Sequence, residues 1–156
     1  IRNDVKVFDF GLAKELTARD RVGLDQYKAS GLTGSRRYMA PEVVLCKPYG
    51  LSVDVFSFGI FLWELLAMKE PFEDYDVHKH ARLVVKKGQR PTMKTYWPGY
   101  VKQLMESCWA TDPRARPTFA EIYQMIKNFP EMCTSSLSMT ERTRMLMDRS
   151  VTSLYR

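Results

Sequence analysis

The stretch from Ser52 to Leu66 constrains the fold more than any other part of the sequence, because after Asp54 it is apolar on almost every side. A helix that is apolar all round belongs in a protein interior or in a membrane. This stretch is too short for a bilayer, which takes roughly 20 apolar residues, and Glu64 interrupts it. We therefore expect a buried central helix over residues 52–66, with other helices packed on it.

The beginning of this helix carries two polar residues. Ser52 is suited to the N-cap position, and Asp54 falls in the first turn, where the helix dipole favours a carboxylate. Stabilisation of the helix end would be enough to explain Asp54. The motifs on both sides of the helix favour a further role for this carboxylate.

The composition describes a globular protein. The chain has 156 residues, enough for one domain, with 45% hydrophobic and 27% charged residues. Its net charge of +6 could indicate nucleic-acid binding, with the basic residues from 79 to 90 as the candidate patch. Basic residues are scattered along the chain and interleaved with acidic ones, however, so a solvated helix face explains these residues more simply. We expect no nucleic-acid partner and no membrane insertion.

The three cysteines are odd in number and far apart, at Cys46, Cys108 and Cys133. They match no disulfide framework and no metal-binding spacing. No signal peptide opens the chain. We therefore expect free thiols in a reducing compartment and a cytoplasmic location. His78 and His80 lie two residues apart and cannot share a helix face, so solvated side chains are expected there.

The order of elements predicts a mainly helical fold. Residues 5–7 alternate like a short strand, residues 12–37 have no sustained period and predict a long loop, and residues 42–46 predict a short helix after Pro41. From about residue 131 the composition changes to Ser, Thr, Met and Arg. This predicts a mostly flexible tail over 131–156, with a weak helix near 141–147.

Three further helices follow the central one, each with a recognisable beginning. Asp76 is placed to cap the first, Pro98 begins the second, and Thr118 with Glu121 forms a capping box for the third. The apolar stripes of these helices predict core positions, which are Val77, Ala81, Val84 and Val85 in the first, Val101, Leu104, Met105, Cys108 and Trp109 in the second, and Ile122, Met125, Ile126 and Phe129 in the third.

Four motifs stand in a fixed order along these elements. Asp9-Phe10-Gly11 follows the predicted strand, and residues 34–42 read Gly-Ser-Arg-Arg-Tyr-Met-Ala-Pro-Glu. The central helix comes next, followed by a Cys-Trp…Asp-Pro…Arg-Pro-Thr-Phe run over 108–119. An Asp at a strand end can hold Mg²⁺ against nucleotide phosphates, and Gly lets the backbone turn sharply beside it. Each motif alone is weak, but four in this order are specific together.

These motifs resemble the eukaryotic protein kinases, over about residues 3–130. The run over 108–119 is similar to the tyrosine-kinase and tyrosine-kinase-like groups, whereas residues 34–38 are more similar to Ser/Thr-specific members. The resemblance implies a tyrosine-kinase-like enzyme that phosphorylates protein Ser/Thr. It also implies a kinase-like C-terminal lobe over residues 1–130, mainly α, with a short N-terminal strand, a long activation loop and no N-terminal lobe.

The resemblance assigns nucleotide chemistry to the first motif. Asp9 would bind the Mg²⁺ that bridges the β- and γ-phosphates of ATP. Phe10 would pack inward and report the active or inactive state, and Gly11 would be the hinge of the activation loop. ATP and Mg²⁺ are therefore the implied cofactors.

The resemblance assigns substrate binding and structural support to the later motifs. Gly34, Ser35 and Tyr38 would line the pocket beside the phosphoacceptor of a protein substrate. Glu42 and Arg116 would form a buried ion pair. Asp54 would accept hydrogen bonds from the backbone of the catalytic loop.

The activation loop also contains hydroxyl groups that could be phosphorylated. Tyr27, Ser30 and Thr33 are the candidates, with Thr33 and Ser30 favoured, and an upstream activating kinase is a possible partner. A phosphate adds about −1.5 to −2 charges and can order a loop against arginines. Ordinary loop hydroxyls are the alternative explanation.

The sequence departs from the family because the nucleotide-covering Gly-rich loop, the strand Lys with its Glu partner, and the catalytic loop are all absent. No catalytic base is present, so we expect the chain alone to be inactive. We also expect Asp54 to be a buried carboxylate with few partners, and the central helix to expose an apolar patch that favours aggregation. A catalytically dead kinase-like scaffold or interaction module is the alternative to an enzyme.

Overall fold

The computed structural model describes residues 6–28 and 33–129, and this part of the chain is mainly helical. Its α-helices are α1 (Pro41–Val44), α2 (Ser52–Ala67), α3 (Val77–His80), α4 (Gly99–Cys108) and α5 (Phe119–Lys127). A π-helix, Ala81–Lys86, continues α3 directly, and single 3₁₀ turns cover Phe10–Leu12, Ala18–Asp20, Arg36–Tyr38 and Pro113–Ala115. The predicted tail over 131–156 lies outside the described residues.

Helix α2 is the centre of the fold, as predicted. Phe56 and Ile60 are completely buried, and α4 packs along the same face of α2. Gly59 allows this close approach, because a Cβ at this position would lie only 2.8 Å from the Cβ of Cys108 on α4. The two helix backbones therefore come closer than most side chains would permit.

The opposite side of α2 is exposed, which limits the prediction of an entirely interior helix. Phe61, Leu65 and Leu66 are 45%, 53% and 41% exposed. The expected apolar patch is thus present on this side of the helix. The predicted N-cap is one residue off, because α2 begins with Ser52 as its first residue and Leu51 occupies the N-cap position without a side-chain cap.

The segment after α2 begins as predicted and continues in a wider helix. A carboxylate oxygen of Asp76 accepts a hydrogen bond from the backbone amide of Lys79 at 2.7 Å. Val84 and Val85 are buried in the π-helical part, but Val77 in the first turn is 48% exposed. The wider π-helical turn changes the angular spacing of side chains, so a stripe read at the α-helical period is not buried over its whole length.

Helices α4 and α5 follow the predicted caps. Pro98 occupies the N-cap position of α4, and in α5 the side chains of Thr118 and Glu121 form the complete capping box. Ile122 is buried, whereas Ile126 is 41% exposed and does not belong to the core that was predicted for it. α5 packs through one narrow side, since it lies at the edge of the described fold.

The N-terminal part differs most from the prediction. Lys6 and Val7 form no strand, because a strand needs a hydrogen-bonded partner and the two strands of the described residues pair with each other. Those strands, β1 (Arg21–Gly23) and β2 (Gln26–Tyr27), form an antiparallel hairpin inside the stretch that was predicted as an unstructured loop. The short helix expected at 42–46 is α1, which ends two residues earlier.

Candidate active site

The Asp9 turn is exposed and tightly bent. Asp9 has a positive φ of 62°, and its Oδ1 accepts a hydrogen bond from the backbone amide of Gly11 at 3.4 Å. The side chain of Phe10 is 68% exposed, so the expectation that it packs inward is wrong for this structure. The 3₁₀ turn Phe10–Leu12 that follows Asp9 contains no buried residue.

The Asp9 turn lies beside the segment that was predicted to bind substrate. Gly34 has a φ of 100°, a conformation that favours glycine, and a Cβ built on it would lie 3.8 Å from Cδ1 of Leu12. Leu12 ends the 3₁₀ turn that Asp9 begins. The backbone therefore brings together two motifs that are more than twenty residues apart in the sequence. Ser35 follows at the start of the next 3₁₀ turn and is exposed.

Helix α2 holds this segment through Tyr38. The Tyr38 hydroxyl donates to Oε2 of Glu64 at 2.7 Å, and the Tyr38 carbonyl accepts from the Ser57 hydroxyl at 2.8 Å. Burial, and then the hydrogen bond to Glu64, raise the pKa of Tyr38 to about 12. The phenol therefore keeps its proton and remains a donor at physiological pH.

A second contact holds the same turn. The guanidinium of Arg37 forms an ion pair with Glu70, just beyond the end of α2, and both side chains are partly exposed. The turn Arg36–Tyr38 is thus attached to α2 by a half-buried hydrogen bond and by a more exposed ion pair.

The ion pair expected between Glu42 and Arg116 is present and buried. Arg116 donates from Nη1 to Oε1 of Glu42 at 2.6 Å and from Nη2 to Oε2 at 3.0 Å. It also donates to the carbonyls of Ala110 and Ser52, at 2.9 and 3.0 Å. This one side chain therefore joins α1, the beginning of α2 and the segment before α5.

Arg90 is an important residue that the sequence interpretation missed. Its guanidinium donates to the carbonyls of Trp109 and Val84, at 2.8 and 3.2 Å, and lies 4.9 Å from the ring centre of Phe56, whose ring also contacts Arg116. Burial, followed by the charge of Arg116, lowers the pKa of Arg90 to about 10. Arg90 is therefore half-buried and directed toward backbone carbonyls, and does not belong to a solvated helix face.

One of the two histidines also differs from the prediction. His78 is exposed as expected, but His80 is only 4% exposed and packs edge-on against Phe72. Within the described part of the chain, its Nε2 atom has no hydrogen-bond partner. Burial, followed by the charges of Arg36 and Arg90, lowers the pKa of His80, which therefore favours the neutral ring.

Asp54 is exposed, and the expectation of a buried carboxylate is therefore wrong. It lies in the first turn of α2, which is near the surface of the described fold. Neighbouring groups still remove part of its solvent, and this desolvation raises its pKa. The predicted contact of Asp54 with a catalytic loop is not tested by the described residues.

The candidate phosphorylation sites have different environments. Thr33 is exposed, and Tyr27 is half-buried in β2. Ser30 lies outside the described residues.

The predicted metal ligand Asp9 does not belong to a cluster of metal-binding side chains. The described residues contain no group of three or more His, Cys, Asp or Glu side chains that could hold a metal ion. In the same residues, no helix combines the length and the apolar character that crossing a membrane requires.

Comparison with known protein families shows which family these motifs belong to. The family model described as protein tyrosine and serine/threonine kinase matches residues 2–126, which is most of the chain. The chain belongs to the protein kinase family. The resemblance seen in the sequence, including its similarity to the tyrosine-kinase-like group, is thereby confirmed, as is the mainly helical kinase-like fold.

Individual kinases are similar to this kinase chain over most of its length. The dual specificity protein kinase shkB of Dictyostelium discoideum is 43% identical over 76% of the chain, and the serine/threonine-protein kinase STY17 of Arabidopsis thaliana is 42% identical over 78%. The serine/threonine/tyrosine-protein kinase HT1 of Arabidopsis thaliana is 34% identical over 92%. The chain spans 18%, 20% and 37% of these relatives, respectively.

Proposed function

We propose that this chain is the C-terminal part of a kinase domain that transfers the γ-phosphoryl group of ATP to Ser or Thr of a protein substrate. The proximity of the Asp9 turn to Gly34 is the observation that carries this proposal. The Asp9 carboxylate at the beginning of this turn is suited to a nucleotide-bound metal, and the segment after Gly34 is suited to an acceptor peptide. The contact between Leu12, at the end of the turn, and the position of Gly34 supports their proximity. Phosphoryl transfer depends on bringing these two components together.

Asp9 fits the role of a single metal ligand. Mg²⁺ prefers oxygen ligands and is commonly bound by one or two carboxylates together with substrate phosphates and water. The Asp9 carboxylate is exposed, and one of its oxygens is oriented by the amide of Gly11. When bound, Mg²⁺ would neutralise charge on the ATP phosphates. Asp9 alone would not hold the ion, so ATP supplies the other ligands in this proposal.

The segment from Gly34 to Tyr38 is proposed to receive the peptide. Gly34 has a conformation that favours glycine, Ser35 is exposed, and Tyr38 fixes the other end on α2. Proton abstraction from the acceptor hydroxyl is assigned to none of the residues in this chain. We therefore propose that the chain alone is inactive, and that the base belongs to another part of the protein.

Ser/Thr specificity is supported by the names of the relatives. STY17 is named a serine/threonine-protein kinase, and shkB a dual specificity protein kinase. If the dual specificity of shkB extends to this protein, Tyr is an additional acceptor. Phosphoamino-acid analysis of the product distinguishes Ser/Thr specificity from dual specificity. We place the enzyme in the cytoplasm, because Cys46 and Cys108 are free thiols.

Regulation by phosphorylation is proposed at Thr33. Its side chain is exposed and lies next to Gly34, whereas Tyr27 is half-buried and paired within the fold. An upstream kinase could reach Thr33 without opening the hairpin. Mass spectrometry of the active protein should find phosphate at Thr33 in preference to Tyr27.

The decisive experiment measures phosphoryl transfer by the full-length protein with Mg²⁺, ATP and Ser- or Thr-containing peptides. Asp9→Asn should lower kcat/KM by at least about 100-fold, because charge stabilisation by a metal is worth several kcal/mol. Glu106→Gln, which removes an exposed carboxylate on α4, is the matched control and should retain full activity. A full-length protein that folds but transfers no phosphate would support the scaffold alternative and overturn the enzyme proposal.

A further inference from the structure

The hairpin β1–β2 is hydrogen-bonded to the segment that comes immediately before α2. The amide of Tyr27 donates to the carbonyl of Tyr49 at 2.9 Å, and the amide of Tyr49 donates to the carbonyl of Tyr27 at 3.2 Å. This antiparallel bridge adds one rung to the hairpin from outside it. The hairpin is therefore held against the segment before α2 by backbone hydrogen bonds.

Gly50 makes this attachment possible. It is buried, and a Cβ built on it would overlap the backbone carbonyl oxygen of Asp25, which lies in the turn of the hairpin. Asp25 itself has a φ of 54°, in the left-handed region that glycine, asparagine and aspartate adopt more readily than other residues. The turn thus fits against Gly50 at close range, and the backbone of the hairpin tip and that of the segment before α2 are in direct contact.

The hairpin is also held together by hydrogen bonds between its own residues. The amide of Lys28 donates to the carbonyl of Asp20 at 2.7 Å, and Nε of Arg21 donates to the carbonyl of Gly23 at 3.1 Å. The strand pairing contains an irregularity between Arg21 and Gly23, which bends the strand locally.

From these contacts we propose that Tyr49 and Gly50 form a docking site, here called the loop dock, that positions the substrate-binding segment. This inference rests on the proposed kinase function. The chain leaves the dock at Tyr27 and is fixed again at Tyr38 on α2. Docking at one end and anchoring at the other limit where Thr33, Gly34 and Ser35 can lie. Tyr49 and Gly50 act as positioning residues and do not contact substrate.

The test uses the full-length protein and replaces one of two glycines by alanine. Gly50 has no space for the added methyl group, and Gly99 has space for it. Gly50→Ala adds a methyl group where the carbonyl of Asp25 lies, whereas Gly99→Ala adds one at the first residue of α4, where no atom lies within 4 Å. Gly50→Ala should accelerate amide hydrogen exchange at Tyr27 and Tyr49 by about 25-fold, which corresponds to two backbone hydrogen bonds at about five-fold each. Gly99→Ala should leave exchange at these amides unchanged.

A second variant perturbs the dock without adding atoms near Gly50. Tyr27→Pro removes the amide that donates to Tyr49 and should reproduce the faster exchange at Tyr49. Tyr27→Phe keeps this amide and should leave exchange at Tyr49 unchanged. Exchange in α4 should be the same in all variants, which would show that the core remains folded.

Kinetics then separate positioning from general damage. In Gly50→Ala the KM for peptide should rise by up to about 25-fold, because the docked fraction falls by that factor at most, while the KM for ATP stays constant. Unchanged exchange at Tyr27 in Gly50→Ala would overturn the dock, and changed exchange with an unchanged peptide KM would overturn its positioning role. If the wild-type protein transfers no phosphate, the exchange data still decide whether the dock exists, so the two proposals fail separately.

Discussion

Loss of the negative charge of Glu42 should strongly destabilise the protein, because it leaves the cation of Arg116 buried. The Arg116 side chain is fully buried and that of Glu42 is 9% exposed. The carboxylate receives two N–H donors of the same guanidinium, at 2.6 and 3.0 Å. Glu42→Gln keeps the shape of the side chain but turns one of these acceptors into an amide donor.

The expected magnitude follows from the burial of this pair. Removing one partner of a buried ion pair costs about 3–5 kcal/mol, because the remaining charge stays unpaired in the interior. Arg116→Met should cost more than Glu42→Gln, since it also leaves the carbonyls of Ala110 and Ser52 without their donor. Glu42→Gln is therefore the better variant for measurement, because Arg116 keeps both carbonyl contacts.

Urea unfolding measured by tryptophan fluorescence is a suitable assay, since Trp63, Trp97 and Trp109 are all buried in the core. With an m-value of about 2 kcal/mol per M, a loss of about 3–5 kcal/mol lowers the midpoint by about 1.5–2.5 M urea. The matched control is Glu70→Gln, which removes the same charge from the exposed pair with Arg37. An exposed pair contributes about 0–1 kcal/mol. Equal midpoint shifts for Glu42→Gln and Glu70→Gln would refute the reasoning.

Three further predictions test separate contacts of the fold. Gly59→Ala should lower the free energy of unfolding by about 1–3 kcal/mol, because its methyl group would crowd Cys108 across the α2–α4 contact, and Cys108→Gly in the same chain should restore part of the loss on urea unfolding. Thr118→Ala should cost about 1 kcal/mol in the same assay, because it removes the hydroxyl that caps α5. The raised pKa of Tyr38, about 12, stabilises the folded protein fully below pH 10 and progressively less between pH 10 and 12. Between pH 10 and 12 the free energy of unfolding should therefore fall less steeply with pH in Tyr38→Phe than in the wild type. An identical slope in both proteins would contradict the raised pKa of Tyr38.

Local signals in the sequence were sufficient for the helices. The capping box at Thr118, the cap at Asp76 and the apolar run of α2 each depend on residues within one or two turns. Such patterns are fixed by backbone geometry and by the need to bury one face, so they can be recognised without the rest of the fold. The exposed positions of Val77 and Ile126 show where this fails, since burial at a helix end depends on which neighbours are present.

The candidate site was only partly predictable, because its contacts join distant residues. The pair of Glu42 and Arg116 was expected from the family resemblance, and no local pattern connects two residues so far apart. Arg90 was placed on a solvated face because Lys86 and Lys87 precede it, although its guanidinium turns inward to backbone carbonyls. The available signal was the position of Arg90 between Gly88 and Pro91, because both residues interrupt a helix and Arg90 therefore does not continue the solvated helix face.

The hairpin within residues 12–37 illustrates a different limit. Its strands are only two and three residues long, so alternation could not reveal them. They form because the backbone of Tyr49 provides an external partner and Gly50 provides space, and both conditions lie outside the hairpin. Short strands of this kind are determined by tertiary contact more than by propensity.

Helix α2 holds the ion pair that stabilises the lobe and the segment that we propose to bind substrate through two separate contacts. The Ser52 carbonyl at its beginning serves the ion pair through Arg116, and Glu64 near its end holds Tyr38. At a rise of about 1.5 Å per residue these two anchors are about 18 Å apart, a distance at which perturbations are expected to be independent. In the full-length protein Glu42→Gln should therefore lower stability with an unchanged peptide KM. Tyr38→Phe should raise the peptide KM and lower stability by less than Glu42→Gln does, about 1.5–3 kcal/mol for the lost hydrogen bond to a charged group. A change of both quantities in both variants would mean that α2 transmits strain along its length instead of acting as a rigid support.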